Sequence, residues 1–295
     1  MSTDQTQSGI LGPVPRQARY VVFSCRLNTD PTQSLRALQQ FADGDRIVVG
    51  LGRSLVLALG ADVPGLRTPT SHEVAGLQIP STPFSLWCWL RGDDRGELVH
   101  LTRQLRQILA AGFRLQHVID AFQYGPSLDL TGYEDGTENP EGDDATTVAI
   151  VGGEGVGLDG SSFVAVQQWA HDLDQFQSMT QTQQDHTIGR RKSDNEELED
   201  APESAHVKRT AQESFAPEAF VLRRSMPWAD ATDEGLVFVA FGKSFDAFEA
   251  LLGRMVGAED GIPDALFRFT RPVTASYFWC PPISAGRLDL SVLHL

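Results

Sequence analysis

Asp135 is the acid whose neighbours constrain it most. It lies in the run Gly132-Tyr133-Glu134-Asp135-Gly136-Thr137-Glu138-Asn139-Pro140. Gly132 and Gly136 permit a positive φ or a close approach of backbone to another body, and Pro140 drives Asn139 out of the right-handed helical region. Such a run cannot be a helix or an interior strand, so it reads as a tight loop that fixes a carboxylate between two glycines. A carboxylate held in this way can carry a proton to and from a reacting group. Taken alone, Asp135-Gly136-Thr137 reads rather as an acidic surface turn.

The context decides between them. Downstream lie Thr187-Ile188-Gly189-Arg190-Arg191-Lys192, then Pro202-Glu203-Ser204-Ala205-His206-Val207, then Val221-Leu222-Arg223-Arg224-Ser225-Met226-Pro227. Four motifs in this order resemble the dye-decolourising peroxidases, haem enzymes whose signature is a G-x-x-D-G loop followed by a proximal His and a distal Arg. The G-[FY]-x-D-G-T-E-N-P form, with I-G-R-x-K after it, is similar to the short bacterial subfamily called type B. The resemblance runs from about Ser8 to Phe278.

What the resemblance implies is a haem b peroxidase, with one haem per chain, that reduces hydrogen peroxide through a ferryl intermediate and oxidises small aromatic donors such as dyes and phenolics. A non-catalytic haem-binding or haem-transfer protein would use the same pocket without needing both Asp135 and Arg223. His206 matches the axial iron ligand, with His171 and His186 as its nearest rivals. Asp264, in Gly261-Ile262-Pro263-Asp264, matches the carboxylate that orients the imidazole; as a residue it could also be a helix cap. Asp135 would be the distal acid-base group, and Arg223 would stabilise charge on the departing oxygen. In an extended segment Arg223 and Arg224 point to opposite faces, so only one can reach the haem, and Ser225, where many relatives carry Asn, shares the parity of Arg223. Arg190 is expected to pair with a haem propionate, or else to be an exposed basic residue at a helix end. Gly136 and Thr137 of the loop, with Leu236 and Phe238 of a later strand, are expected to line the cofactor.

Composition narrows the partners. The 295 residues carry 24 Lys and Arg against 39 Asp and Glu, a net charge of -15, which argues against nucleic acid and anionic membrane. Cys25, Cys88 and Cys280 are odd in number and widely spaced, so neither a disulfide framework nor a thiolate metal site is indicated. The polar start Met1-Ser2-Thr3-Asp4-Gln5-Thr6-Gln7-Ser8 has no basic, apolar or twin-arginine signature, so a cytoplasmic protein is expected. No run approaches the roughly 18 apolar residues of a membrane span. A homo-oligomer is expected, and the alternating segment from Gly286 to Leu295 could dock on a partner or an encapsulating shell.

The elements that must position these residues follow from periodicity. After an arm over 1–17, a strand is expected over 18–27, a helix over 31–42, strands over 46–51 and 84–90, a helix over 93–109 and a strand over 113–123. This β-α-β-β-α-β order over 18–131 is that of a ferredoxin-like unit. A charged, Gly-rich connection over 132–145 leads to a second half, 146–295, that reads as a varied repeat. Strands are expected there over 147–151, 162–169, 236–241 and 273–279, with a helix over 245–255. A polar insertion over 172–214 holds Arg190 and His206, and a long irregular segment inside a compact domain is usually functional. The expected fold class is α+β: two ferredoxin-like halves with facing antiparallel sheets and haem in the second.

Overall fold

The computed structural model describes residues 5–74 and 76–295, so the first four residues of the expected arm lie outside the described residues. The strands are β1 (Gln17–Cys25), β2 (Ile47–Leu51), β3 (His72–Val74), β4 (Leu77–Ile79), β5 (Leu86–Gly92), β6 (Phe113–Phe122), β7 (Ser162–His171), β8 (Leu222–Arg223), β9 (Met226–Ala229), β10 (Glu234–Gly242), β11 (Thr270–Cys280), β12 (Ile283–Ser284) and β13 (Arg287–Leu288). The helices are α1 (Ser8–Leu11), α2 (Thr32–Phe41), α3 (Arg53–Ala58), α4 (Arg95–Leu109), α5 (Gly142–Ala149), α6 (Leu173–Ser178), α7 (Gln181–Ile188), α8 (His206–Arg209) and α9 (Asp246–Met255).

Nine of these strands form one continuous sheet in the order β7-β11-β2-β5-β1-β6-β9-β10-β8, and β7 also pairs with β10. The last pairing closes the sheet into a barrel, so the two separate facing sheets expected from the sequence are opposite walls of a single ring. Two seams join the halves: Trp279 opposite Leu51, and Ala121 opposite Trp228.

The period-2 alternation of each strand sorts its side chains between the two sides of that ring. Tyr20, Trp87, Trp89, Phe241 and Phe278 join one buried cluster, with Trp87 and Phe278 stacked at 5.9 Å. Their strand neighbours Val21, Phe23, Cys88 and Leu90 join the other, which includes Leu35 and Leu38 of α2 and Leu98 and Leu105 of α4. The first cluster fills the barrel and the second lies under the helices. Asp94 starts α4 by accepting the Glu97 N–H at 2.9 Å, and the buried stripe Leu98, Thr102, Leu105, Leu109 follows helical spacing.

One element differs in kind from the expectation. Residues 147–151, read as a strand from Thr147, Val148, Ile150 and Val151, belong mostly to helix α5. Asp143 and Asp144 lie in its first turn, where acids favour the helix dipole, and Ala145 and Ala149, four apart, are buried. In the tail, Leu288, Leu290 and Leu293 are buried in the chain's own core, so those three side chains are not presented to a shell or neighbour. No described helix is long and apolar enough to cross a membrane.

Candidate active site

The 132–140 loop is a chain of short turns, with Gly132 at φ 82° and Gly136 at φ 83° as the glycine spacing predicts. Tyr133 anchors it: the phenol donates to Asp185 Oδ1 of α7, accepts from Gln181 Nε2 at 3.0 Å, and lies under the Lys192 ammonium. Burial, and then the bond to Asp185, push this phenol far above its ordinary pKa. Tyr133 is therefore a neutral structural peg. With the loop pinned, the Asp135 N–H donates to Ser127 O at 2.9 Å and the carboxylate comes within 3.6 Å of Arg223 Nη1. That separation is an ion pair longer than a direct hydrogen bond.

Asn139 sets Arg223 in place. Its side-chain oxygen accepts the Arg223 N–H at 2.8 Å and its amide donates to Arg223 O at 2.9 Å. An amide side chain thus acts as the missing partner strand on the free side of β8, while the other side pairs with Ala240. The sequence reading treated Asn139 only as half of an Asn-Pro stop, and a clamp to a residue 84 positions away leaves no local trace.

Parity separates the two arginines as expected. Arg223 lines the cavity that holds His206 and Asp135, whereas Arg224 does not; it is buried and donates from Nε to Ile10 O, from Nη2 to Leu11 O and from Nη1 to Arg223 O. Burial, and then the neighbouring Arg91 charge, lower its pKa to about 10. Ser225 departs from the expectation. It lines a second cavity, of about 540 Å³, and its Oγ accepts the Val239 N–H at 3.2 Å, replacing a main-chain acceptor. Asp135, Gly136 and Arg223 line both cavities and so form the wall between them.

The cavity of about 310 Å³ on the other side of that wall gathers Asp135, Gly136, Thr137, Arg190, His206, Arg223, Leu236 and Phe238. His206 opens α8. Its Nδ1 lies 2.7 Å from Asp264 Oδ2, and Asp264 is fully buried beneath it. The other carboxylate oxygen accepts the Leu266 N–H at 2.8 Å, so Asp264 is a helix cap and an imidazole acceptor at once. A carboxylate on Nδ1 places the ring hydrogen there and leaves the Nε2 lone pair for another partner; among the described residues Nε2 has none. Ala265 N donates to Ser204 O at 2.7 Å, which ties the two segments together at the main chain.

Gly189 explains the Ile-Gly-Arg motif. It ends α7 at φ 95°, and a Cβ there would collide with Val207, the neighbour of His206. Arg190 follows it to the cavity rim, where Nη2 meets Glu138 Oε1 at 2.7 Å and Nη1 donates to Asn195 O at 3.0 Å. Thr137 Oγ1 accepts from Asn195 Nδ2 at 3.0 Å. Of the rival histidines, His171 lines the same cavity and His186 does not. His171 has both ring nitrogens engaged, by Thr270 Oγ1 at 2.6 Å and Asp129 Oδ2 at 3.2 Å, and His186 stays outside the cavity on α7.

The apolar wall of Phe248, Leu251, Leu252 and Met255 on α9 was legible as one helix face but not as part of a site. Gln167 was missed altogether. It lines the same cavity, its Oε1 accepts from Trp169 Nε1 at 3.1 Å, and among the described residues its buried Nε2 has no partner.

A family model described as Dyp-type peroxidase, C-terminal, matches residues 126–285, more than half of the chain. The dye-decolorizing peroxidase of Rhodococcus erythropolis is 28% identical over 293 residues, covering 92% of this chain and 85% of that protein. That of Mycolicibacterium paratuberculosis is 27% identical over 246 residues, covering 78% and 70%. Among solved structures, a dye-decolorizing protein from V. cholerae superposes with a TM-score of 0.85 at 26% identity over 97% of this chain and 98% of that one. DyPB from Rhodococcus jostii gives 0.83 at 25% identity over 95% and 97%. The loop acid, the clamped arginine and the carboxylate-backed histidine all lie within the matched region, and the chain belongs to the Dyp-type peroxidase family as an enzyme of the peroxidase class.

Proposed function

We propose that the chain is a haem b peroxidase of the short, type B form, with one haem per chain in the cavity of His206, using hydrogen peroxide to oxidise small aromatic donors. The observation that carries this is His206: its Nδ1 rests on buried Asp264 while Nε2 is unpartnered in a cavity shared with Asp135 and Arg223. The donor set fits the cofactor. An imidazole backed by a carboxylate is a good iron ligand, the orphaned Gln167 Nε2 is a buried donor awaiting an acceptor, and Leu236, Phe238 and the α9 residues supply apolar walls. A variant of DypB from Rhodococcus jostii, 25% identical, is described in complex with heme.

His206 would hold the iron, Asp264 would keep its tautomer and raise its basicity, and Arg190 would exchange Glu138 for a propionate. When bound, haem supplies the redox centre that accepts oxidising equivalents from peroxide. Asp135 Oδ1 takes a proton from the near oxygen of peroxide and returns one to the far oxygen, which leaves as water. The Arg223 guanidinium opposes the charge on that far oxygen while the O–O bond breaks. The second cavity offers peroxide a route that reaches Asp135 and Arg223 from behind, past Ser225. Gly136 puts bare backbone in that wall, and Thr137 presents a small hydroxyl to the cavity of His206.

We read the two halves as ferredoxin-like repeats, because each has the strand order of that unit: β2-β5-β1-β6 in the first, and β11-β7-β10 with β9 in the second. A cytoplasmic homo-oligomer is the assembly we expect. The test of the whole reading is titration of the protein with hemin: a Soret band saturating at one equivalent, lost in His206→Ala, supports it. A spectrum unchanged in His206→Ala would sink it, and a saturated Soret band without peroxidase turnover would favour the haem-transfer alternative.

A further inference from the structure

Asp135 has to keep one position against Arg223, and the segment that carries it is anchored at both ends, by Tyr133 on α7 and by Asn139 on β8. Between those anchors the main chain is held by the Asp135 N–H on Ser127 O and by the bridge of Glu134 to Leu128. A further tie comes from outside the loop. Asn195 Nδ2 donates to Glu134 Oε2 at 2.9 Å and to Thr137 Oγ1 at 3.0 Å, so one amide spans the two residues on either side of Asp135-Gly136.

The turn that carries Asn195 closes without this side chain. The Arg191 N–H donates to Glu196 O at 2.9 Å, the Asn195 N–H to Arg191 O at 2.9 Å and the Leu198 N–H to Gly189 O at 3.0 Å. Arg191 Nη1 meets Asp194 Oδ2 at 2.6 Å, and Arg190 Nη1 holds the Asn195 carbonyl at 3.0 Å. Asn195 itself lies at φ 59°, in the left-handed region that asparagine enters more readily than most residues. A left-handed residue is all that the turn requires at this position. The amide hydrogens both go to the other loop instead, and because a carboxylate only accepts, the atom facing Glu134 is the amide nitrogen.

We propose that Asn195 is a positioning residue for Asp135, locking the acid's loop from the side of the cavity that Arg190 rims. The inference rests on the reading of Asp135 as the proton carrier for peroxide. Asn195 does not touch Asp135; it acts through Glu134 and Thr137, which it holds at a fixed separation, so that the segment cannot rock about Gly132 and Gly136, both at positive φ. A displacement of the carboxylate by about 1 Å is enough to cost on the order of 10²-fold in rate. The same residue gives its carbonyl to Arg190 and its amide to the Asp135 loop, so the motif after α7 and the acid are set by one turn.

Asn195→Gly keeps the left-handed backbone and removes only the amide, which makes it the test. In the cofactor-free protein the Asp135 amide, followed by NMR, is expected to exchange with solvent about 10-fold faster, at a melting curve close to wild type. In the hemin-loaded protein the reaction with peroxide should slow by about 10- to 100-fold, with hemin affinity and the KM for the aromatic donor unchanged. Asn195→Asp sets a carboxylate against Glu134 and should be at least as slow. Asn195→Asp/Glu134→Gln restores the bond with donor and acceptor exchanged, and should recover to within about threefold of wild type. Unchanged exchange or an unchanged peroxide rate in Asn195→Gly would overturn the proposal, and so would a double variant no faster than Asn195→Asp. A rate loss matched by a loss of hemin affinity would also reject it, by making Asn195 a support for Arg190 alone. A wild-type protein that forms no Soret band would sink the haem reading instead, and the exchange comparison would still decide this one.

Discussion

Asp264 holds His206 and the main chain of Leu266 on its two oxygens, at 2.7 and 2.8 Å, so a single buried carboxylate fixes both the imidazole and the turn that carries it. Asparagine at this position can still cap Leu266 but cannot present an anion to Nδ1. Asp264→Asn is therefore expected to fold, to bind haem about 10- to 100-fold more weakly, and to shift the spectrum of the bound form. Hemin titration followed at the Soret band checks this. Wild-type affinity in the variant would mean that the carboxylate is only a cap.

Arg223 and Arg224 should fail in different ways. Arg223→Leu removes the guanidinium beside Asp135 and is expected to slow the reaction with peroxide by about 10²–10³-fold. Asp135→Asn should cost less, because water can partly replace a proton carrier. Arg224→Leu strands the carbonyls of Ile10 and Leu11, a loss of about 1–3 kcal/mol in stability with little change in the chemical step. Stopped-flow mixing with peroxide, alongside urea unfolding, separates these outcomes, and a crippled Arg224→Leu beside a full-speed Arg223→Leu would reverse the assignment.

Asn139 acts through Arg223, and it should show as a positioning residue. Asn139→Ala removes both bonds to the Arg223 main chain, so the guanidinium loses its fixed origin while keeping its charge. A displacement of about 1 Å can cost on the order of 10²-fold. The expected signature is a lower kcat at an unchanged KM for the aromatic donor; an altered KM with kcat intact would count against this role.

Gly189 gives a prediction about stability. An L-residue in the left-handed region costs roughly 1–2 kcal/mol, and here the added methyl also meets Val207. Gly189→Ala should lower Tm and, because Val207 adjoins His206, weaken hemin binding as well. A drop in Tm with unchanged binding would show that the strain stays in α7.

Asp129 carries a pH effect. Burial pushes its carboxyl up, but the hydrogen bond and charge of His171, with the Thr131 hydrogen bonds, together hold it below the ordinary value of 3.8. A depressed carboxylate contributes stability that is present above its unfolded pKa and is lost as pH falls through the folded one. The stability gap between wild type and Asp129→Asn should be full near neutrality and narrow as pH drops below about 4. Urea midpoints from pH 6 to pH 3 measure it, and a gap independent of pH would remove Asp129 as the cause.

The site was legible where motifs are local. The glycines around Asp135, the Gly189 stop before Arg190 and the parity of Arg223 over Arg224 are all consequences of backbone geometry within a few residues. What was hidden depends on partners far along the chain. Asn139 reads as a breaker until Arg223 lies beside it, and Ser225 faces the neighbouring cavity, its hydroxyl taken by Val239. Residues 147–151 mislead because β-branched side chains outnumber the alanines that α5 buries. Closure of the sheet was also out of reach, since each seam is a single bridge between strands that periodicity describes equally well as edges.

Those seams have a consequence for how the molecule tolerates damage. Each half taken alone would be an open sheet with two raw edges, able to recruit any extended chain. Joined at Leu51 with Trp279 and at Ala121 with Trp228, the halves cover each other's edges at one point on either side. A fragment ending in the loop around Asp135 would therefore not be a smaller protein but an adhesive one, and a chain nicked in that loop would be held together by the ring it has already closed.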